Sequence, residues 1–210
     1  MDSILVTGGC GYIGSHTVLS LLERGLDVYI IDSNYNSSSL VIKRLKDLSK
    51  KNKLKLSNNL YFIKGDVRVK ADLEEVFLRA KENNHNISGV IHFAGLKAVE
   101  ESCENPLMYW DNNLVGTVNL LKVMKKYNCR NLIFSSSATI YSNSIKNRLT
   151  EDSFIKPINP YGRTKAAVEI FLNDIFLSDN QWKIINLRYF NPIGAHQSGK
   201  IGEDPIGVPN

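Results

Sequence analysis

The sequence lacks long hydrophobic runs: no apolar stretch approaches the roughly 20 residues that a membrane-spanning helix needs. It also lacks a basic and apolar leader, because Met1 is followed almost at once by a short strand-like run. These two absences argue against a membrane protein and against a secreted one. We therefore expect no membrane partner and a cytoplasmic location.

Cysteine is scarce. The three cysteines, Cys10, Cys103 and Cys129, are odd in number and widely spaced, and they fit neither a disulfide framework nor a metal-ligand motif. We expect reduced thiols and no metal site. With 43% hydrophobic and 22% charged residues, the composition is that of a globular protein and not of a disordered or fibrous one.

The net charge of +5 comes from one segment. Residues 43–55 contain seven lysines or arginines and one aspartate, a local charge of +6 that leaves −1 for the rest of the chain. Such a run is typical of a solvated helix face and its loop. The segment has no aromatic side chain for stacking on bases, so we expect no nucleic-acid partner.

Short apolar runs alternate with longer helical patterns along the chain. Predicted strands cover residues 3–7, 27–31, 60–64, 89–93, 131–135 and 184–188. Predicted helices cover residues 12–24, 40–49, 71–82, 106–127 and 161–177. Nearly continuous apolar runs suit strands that are buried on both faces. The alternation predicts an α/β fold with a Rossmann-type, doubly wound parallel sheet.

A glycine-rich turn separates the first predicted strand from the first predicted helix. Gly8, Gly11 and Gly14 leave room for a close approach of the backbone to a pyrophosphate, which the helix N-terminus would favour. Asp32, at the end of the second strand, lies 18 residues after Gly14. A carboxylate there accepts hydrogen bonds from ribose hydroxyls and repels a 2′-phosphate, so the pattern predicts NAD.

The Gly-x-x-Gly-x-x-Gly spacing resembles the short-chain dehydrogenase/reductase superfamily, which implies a Tyr-x-x-x-Lys pair downstream. Tyr161 and Lys165 have this spacing and share one face of a predicted helix. A nearby ammonium, together with an oxidised nicotinamide, favours the phenolate form of the tyrosine. Ser137, after the fifth strand, could hydrogen-bond the same substrate oxygen. We predict that these three residues are catalytic.

Five further stretches closely resemble UDP-glucose 4-epimerases: residues 92–99, 111–113, 134–139, 188–192 and 202–210. The resemblance implies NAD-dependent interconversion of UDP-glucose and UDP-galactose. The implied cofactor contacts are Gly8, Gly11, Tyr12, Ile13, Gly14, Asp32, Asn36, Asp66, Val67, Phe93, Ala94, Lys97, Asn112 and Tyr189. The implied contacts with the UDP-sugar substrate are Lys97, Ser137, Tyr161, Asn191 and Asn210.

The resemblance also implies a mechanism and an assembly. Tyr161 would remove the proton of the sugar 4-hydroxyl while the C4 hydride passes to NAD, and Lys165 would lower the tyrosine pKa. The 4-ketose would then turn over in the pocket and take the hydride back on its other face. The family further suggests a homodimer built on helices such as 106–127.

The last residues differ from the rest, since glycine and proline are dense after Arg188 and no element closes the chain. We interpret residues 1–190 as an NAD-binding Rossmann domain. Residues 191–210 would begin a smaller substrate-binding domain that is truncated, because the epimerase family continues well past Asn210.

Two alternatives stay open. One is a related nucleotide-sugar 4,6-dehydratase, although Ala138 and Thr139 stand where dehydration needs an acidic pair. The other is a non-catalytic, NAD-binding remnant of an epimerase. Of the histidines, we expect His92, which lies inside a strand, to be a hydrogen-bonded core residue, and the role of His196 is open.

Overall fold

The fold is organised around one parallel sheet. A computed structural model of the chain describes residues 2–51, 60–141 and 148–203. The strands are β1 (Asp2–Thr7), β2 (Asp27–Asp32), β3 (Leu60–Lys64), β4 (Asn86–His92), β5 (Asn131–Ser137) and β6 (Lys183–Tyr189). They lie in the order β3-β2-β1-β4-β5-β6 and all neighbouring pairs are parallel. This is the Rossmann-type, doubly wound order that the alternation predicts.

The central strands are buried on both faces, which explains their continuous apolar sequences. Along β2, Tyr29 and Ile31 pack into one hydrophobic cluster, whereas Val28 and Ile30 pack into the cluster on the opposite face. This alternation follows the two-residue period of a strand. A sheet of this kind must be covered by helices on each side.

Helices cover both faces of the sheet. α1 (Tyr12–Glu23) and α2 (Leu40–Lys51) contribute buried side chains to one cluster, and α3 (Lys70–Glu82) contributes to the other. α4 (Val99–Glu104) and α5 (Pro106–Tyr109) follow β4, and a π-helical turn at Trp110–Val115 leads into α6 (Gly116–Lys126). A 3₁₀ turn at Ala138–Ile140 follows β5, and α7 (Pro160–Ser178) precedes β6. α6 and α7 cover the same face as α3.

The predicted strands and helices are confirmed, with two differences. The sequence pattern did not predict α4, and the segment predicted as one helix over 106–127 is interrupted by the π-helical turn. A single π turn inserts one extra residue into a helix. The apolar spacing remains helical on both sides of it, so the sequence pattern does not reveal the turn.

The sheet order reverses between β1 and β4, which opens a crevice at the carboxyl ends of these strands. Among the described helices, none is long and apolar enough to cross a membrane. The described residues contain no group of three His, Cys, Asp or Glu side chains that could hold a metal ion. All three cysteines are unpaired.

Candidate active site

One cavity of about 710 Å³ lies at the carboxyl ends of the strands. It brings together every predicted site residue except Asn210, which lies outside the described residues. These lining residues are Gly8, Gly11, Tyr12, Ile13, Gly14, Asp32, Asn36, Asp66, Val67, Phe93, Ala94, Lys97, Asn112, Ser137, Tyr161, Lys165, Tyr189 and Asn191. Such a cavity is large enough for a small-molecule ligand.

The glycine turn is closely packed and leaves its backbone facing the cavity. Gly8 has a φ of +67°, and a Cβ atom there would lie 2.6 Å from the amide nitrogen of Ala94. A Cβ atom on Gly14 would collide with the carbonyl oxygen of Gly8. Gly11 is the N-cap of α1, and no side chain caps this end of the helix. The turn is therefore a cradle of main-chain groups that suits a pyrophosphate.

The Asp32 carboxylate is held in a fixed orientation at the end of β2. Its Oδ2 accepts a hydrogen bond from the amide of Cys10 at 2.9 Å. Its Oδ1 accepts from the amide of Asn34 at 2.9 Å and from the hydroxyl of Ser37 at 2.8 Å. A carboxylate has about four acceptor directions, so Oδ2, which accepts one hydrogen bond here, could still accept a ribose hydroxyl.

Arg68, which sequence reasoning missed, orients a second carboxylate of the cavity, that of Asp66. Its guanidinium bonds both oxygens of Asp66, with Nη2 2.7 Å from Oδ2, and also reaches Asp111 at 3.2 Å. The hydrogen bonds from Arg68 hold the pKa of Asp66 below its usual range. Arg68 thus links the Asp66 end of the cavity to the segment that carries Asn112.

Tyr161, Lys165 and Ser137 meet at the other end of the cavity. Tyr161 and Lys165 lie on the first turns of α7 and are both buried, and Ser137 ends β5. The Ser137 hydroxyl accepts hydrogen bonds from the amide of Thr139 at 3.2 Å and from its hydroxyl at 2.9 Å. These contacts fix the serine oxygen beside the phenol.

Lys165 contacts both the main chain of β5 and the ring of Tyr161. Its Nζ donates to the carbonyl of Ser135 at 2.8 Å and lies 5.9 Å from the centre of the Tyr161 ring. Burial raises the pKa of Tyr161, and a hydrogen bond with Ser137 opposes that rise. Burial also lowers the pKa of Lys165 to about 8. Lys165 is therefore held on the main chain of β5 beside the Tyr161 ring, and its effect on the pKa of Tyr161 stays a prediction.

His92 is a core residue, as predicted. Its Nδ1 lies 2.6 Å from the hydroxyl of Thr7 and its Nε2 lies 2.9 Å from the hydroxyl of Thr117. Because Thr117 donates to the carbonyl of Asn113, it must accept from Nε2–H, so Nδ1 accepts from Thr7. His92 is therefore a neutral Nε2–H tautomer that holds Thr7, which in turn accepts from the amide of Ala94 at 3.2 Å.

The segment after β6 lies along the cavity. The hydroxyl of Tyr12 donates to the carbonyl of Gly194 at 2.5 Å, and Ile201 is buried in the cluster formed with α1 and α2. Lys97 pairs with Glu203 at 2.9 Å. His196 bonds Ser198 at 2.7 Å, so its contacts are local to this segment.

The comparisons with known proteins agree with this geometry. Residues 5–206 match the family described as GDP-mannose 4,6-dehydratase. The chain is 54% identical to UDP-glucose 4-epimerase 2 of Arabidopsis thaliana over 208 residues, which is 99% of this chain and 57% of that protein. It therefore spans about 57% of the length of the curated relatives that it matches.

Solved structures show the same fold. UDP-glucose 4-epimerase of Bifidobacterium longum, in complex with NAD⁺ and UDP, has a TM-score of 0.88 at 44% identity and matches 100% of this chain and 59% of its own. The enzyme of Stenotrophomonas maltophila, with bound NAD and formylated UDP-arabinopyranose, has a TM-score of 0.88 at 39% identity and matches 99% of this chain and 58% of its own.

Proposed function

This chain belongs to the protein family described as GDP-mannose 4,6-dehydratase, and within that family we propose that it carries the NAD-binding and catalytic part of a UDP-glucose 4-epimerase. The proposed reaction interconverts UDP-glucose and UDP-galactose. One observation carries the proposal: the glycine turn, the Asp32 carboxylate and the Tyr161–Lys165 pair all line one cavity.

The residues present fit NAD. The cradle at Gly8 to Gly14 has no space for a side chain at Gly8 or Gly14 and would take the pyrophosphate, and Asp32 would accept an adenosine ribose hydroxyl. Asp66 and Val67 would face the adenine. The remaining contacts would come from Tyr12, Ile13, Asn36, Phe93, Ala94, Lys97, Asn112 and Tyr189.

The side chains of the protein would take one proton from the sugar and later return it. Bound NAD would supply the acceptor and then the donor of the C4 hydride. Tyr161 would take the proton from the sugar 4-hydroxyl and return it after the 4-keto sugar has turned over in the pocket. Ser137 would hydrogen-bond the reacting oxygen, and Lys165, held on the Ser135 carbonyl, would bind the nicotinamide ribose. The nucleotide would retain the ketone through contacts remote from the reacting carbon.

For the substrate, we propose contacts with Lys97, Ser137, Tyr161 and Asn191, all of which line the cavity. Asn210, the fifth proposed contact, lies outside the described residues. We further propose that residues 1–190 are the NAD-binding domain and that residues 191–210 begin the substrate-binding domain. Glu203 holds Lys97, so a UDP-sugar that binds Lys97 would have to displace this carboxylate.

Proton NMR of UDP-galactose incubated with the purified chain and NAD tests the proposal. We expect UDP-glucose to appear, and we expect Tyr161→Phe to abolish its formation while NAD stays bound. A 4-keto-6-deoxy product would instead identify a dehydratase. Bound NAD without any conversion would show that this chain binds the cofactor and does not catalyse epimerisation.

We also propose a homodimer in the cytoplasm. Leu107 on α5, Val115 in the π-helical turn and Ile170 on α7 are apolar and exposed, on segments that pack against one another. Exposed apolar side chains on neighbouring segments favour contact with a second copy. Unpaired cysteines suit a reducing compartment. Light scattering should report a dimer for the wild type and a monomer for Leu107→Glu, and a monomeric wild type would contradict the assembly.

A further inference from the structure

Helix α4 contacts the start of α7 through a buried serine. Ser102 is fully buried, and its hydroxyl donates to the carbonyl of Val99 at 2.6 Å. The same oxygen accepts a hydrogen bond from the amide of Tyr161 at 3.2 Å. A residue 59 positions away in the sequence therefore binds the main chain of the predicted catalytic tyrosine.

This contact completes the capping of α7. The amides in the first turn of a helix have no partner inside the helix. The side chain of Asn159 accepts from the amide of Gly162 at 2.8 Å, and its carbonyl accepts from the amide of Arg163 at 3.0 Å. The amide of Tyr161 instead donates its hydrogen bond to the hydroxyl of Ser102. The position of its main chain therefore depends on α4.

The side chain of Tyr161 is held from the same direction. Glu101, the neighbour of Ser102, accepts a hydrogen bond from the hydroxyl of Tyr109 at 2.7 Å. Tyr109 is fully buried, and its ring meets that of Tyr161 edge to face, with centroids 6.5 Å apart at 80°. Leu96 completes this apolar cluster around the phenol ring. Tyr109 cannot rotate away without breaking its bond to Glu101.

We propose that α4 positions the catalytic tyrosine: Ser102 fixes the main chain of Tyr161, and Glu101 fixes its ring through Tyr109. The inference rests on the proposed function, which makes Tyr161 the acid and base of the reaction. Ser102, Glu101 and Tyr109 are positioning residues, because they act on the reacting atoms through Tyr161.

The first experiment compares Tyr109→Phe with Tyr29→Phe. Both tyrosines are fully buried with hydrogen-bonded hydroxyls, but Tyr29 bonds Asn83 and His85 at the opposite end of the sheet. We expect Tyr109→Phe to lower kcat by about tenfold to a hundredfold and to leave KM for UDP-galactose and the bound NAD within about twofold, since the ring is displaced but the cavity is not. Tyr29→Phe should leave kcat within about twofold.

Variants of Glu101 separate positioning from packing. Glu101→Gln keeps an acceptor for the Tyr109 hydroxyl and should retain most of kcat, whereas Glu101→Leu removes the acceptor and should lower kcat as Tyr109→Phe does. If Tyr109→Phe had wild-type kcat, or if it raised KM and kept kcat, the role assigned to Tyr109 and Glu101 would be overturned.

Hydrogen exchange tests the Ser102 contact without requiring epimerisation. We expect Ser102→Ala to speed exchange of the Tyr161 amide by about tenfold, because that amide loses its acceptor. Ser49→Ala is the matched control: Ser49 is buried and bonds the Lys46 carbonyl three residues earlier, as Ser102 bonds Val99. It should leave the Tyr161 amide unchanged. Unchanged exchange in Ser102→Ala would overturn the proposal, whereas a wild type without epimerisation would overturn only the proposed function.

Discussion

The guanidinium of Arg188 pairs with the carboxylate of Glu169, with Nη2 2.7 Å from Oε2 and Nε 3.1 Å from Oε1. Glu169 lies one turn beyond Lys165 on α7, and its carboxylate also accepts from the hydroxyl of Ser136. Arg188 lies near the end of β6 and donates to the Tyr141 hydroxyl at 2.7 Å. This pair therefore joins α7 to the strands that flank the predicted catalytic residues.

We expect Glu169→Ala to lower the free energy of unfolding by about 3 kcal/mol, because it leaves the mostly buried Arg188 without its counter-charge. Urea denaturation measures this loss. Glu75→Ala is the control, since the Glu75–Arg79 pair is exposed, and it should cost less than about 1 kcal/mol. Equal losses of unfolding free energy in the two variants would show that the Glu169–Arg188 pair stabilises the fold no more than an exposed pair does.

His92 makes the free energy of unfolding depend on pH. Burial, with a smaller contribution from the charge of Lys165, lowers the pKa of His92 from 6.5 to about 3. Below pH 6.5 the unfolded chain therefore binds a proton at His92, whereas the folded chain binds it only near pH 3. The free energy of unfolding is thus unaffected by His92 above pH 6.5 and decreases as the pH falls below that value. Between pH 7 and pH 5 we expect the wild type to lose about 2 kcal/mol from this residue.

Urea denaturation of the wild type and of His92→Gln at both pH values checks this expectation. The variant is less stable throughout, because it loses the bonds to Thr7 and Thr117, but its dependence on pH should be shallower by that amount. Parallel dependence in the two proteins would contradict the assignment of a neutral, buried imidazole.

Asp32 should decide the choice between NAD and NADP. Replacing it with asparagine removes the charge that repels a 2′-phosphate, so we expect Asp32→Asn to weaken NAD binding by about tenfold and to improve NADP binding relative to NAD. Titration calorimetry with both cofactors measures the change. Asp27→Asn is the control, because Asp27 is equally buried at the other end of the same strand. An unchanged cofactor ratio in Asp32→Asn would refute the prediction.

Gly14 should tolerate no side chain. A Cβ atom there meets the carbonyl of Gly8 and lies 2.9 Å from Cα of Gly9, and both are backbone atoms that cannot move aside cheaply. We expect Gly14→Ala to lose most of its bound NAD and to cost about 1–3 kcal/mol of stability. At Gly89 the new atom would lie 3.5 Å from the nearest side chain, so Gly89→Ala should keep its NAD. Cofactor content by absorbance and thermal melting distinguish the two variants.

Much of the fold follows from local sequence. The apolar run of β2 reads as a strand that is buried on both faces, and the structure buries all six of its residues. The i and i+4 spacing of Tyr161 and Lys165 predicts one face of a helix, and α7 places both side chains toward the cavity. These features were predictable because strand and helix periods are properties of neighbouring residues.

Other features had no local signal. Residues 99–104 form a helix that is too short for a periodic pattern, and a π-helical turn lies inside the segment predicted as one helix. Arg188 was part of the family resemblance, but nothing near it in the sequence indicated Glu169 as its partner. Each of these features depends on contacts between residues that are far apart along the chain.

The doubly wound parallel sheet and the glycine turn were thus readable from residue type and short spacing alone. The roles of Tyr161, Lys165 and Ser137 as reacting side chains remain predictions, which the family resemblance supports. Three contacts became visible only in the folded chain: Lys165 binds the Ser135 carbonyl, Ser102 holds the amide of Tyr161, and Arg68 orients Asp66. Hydrogen-bond partners, and the burial that shifts a pKa, come from the residues that the fold packs against a group, and these are often distant from it in the sequence.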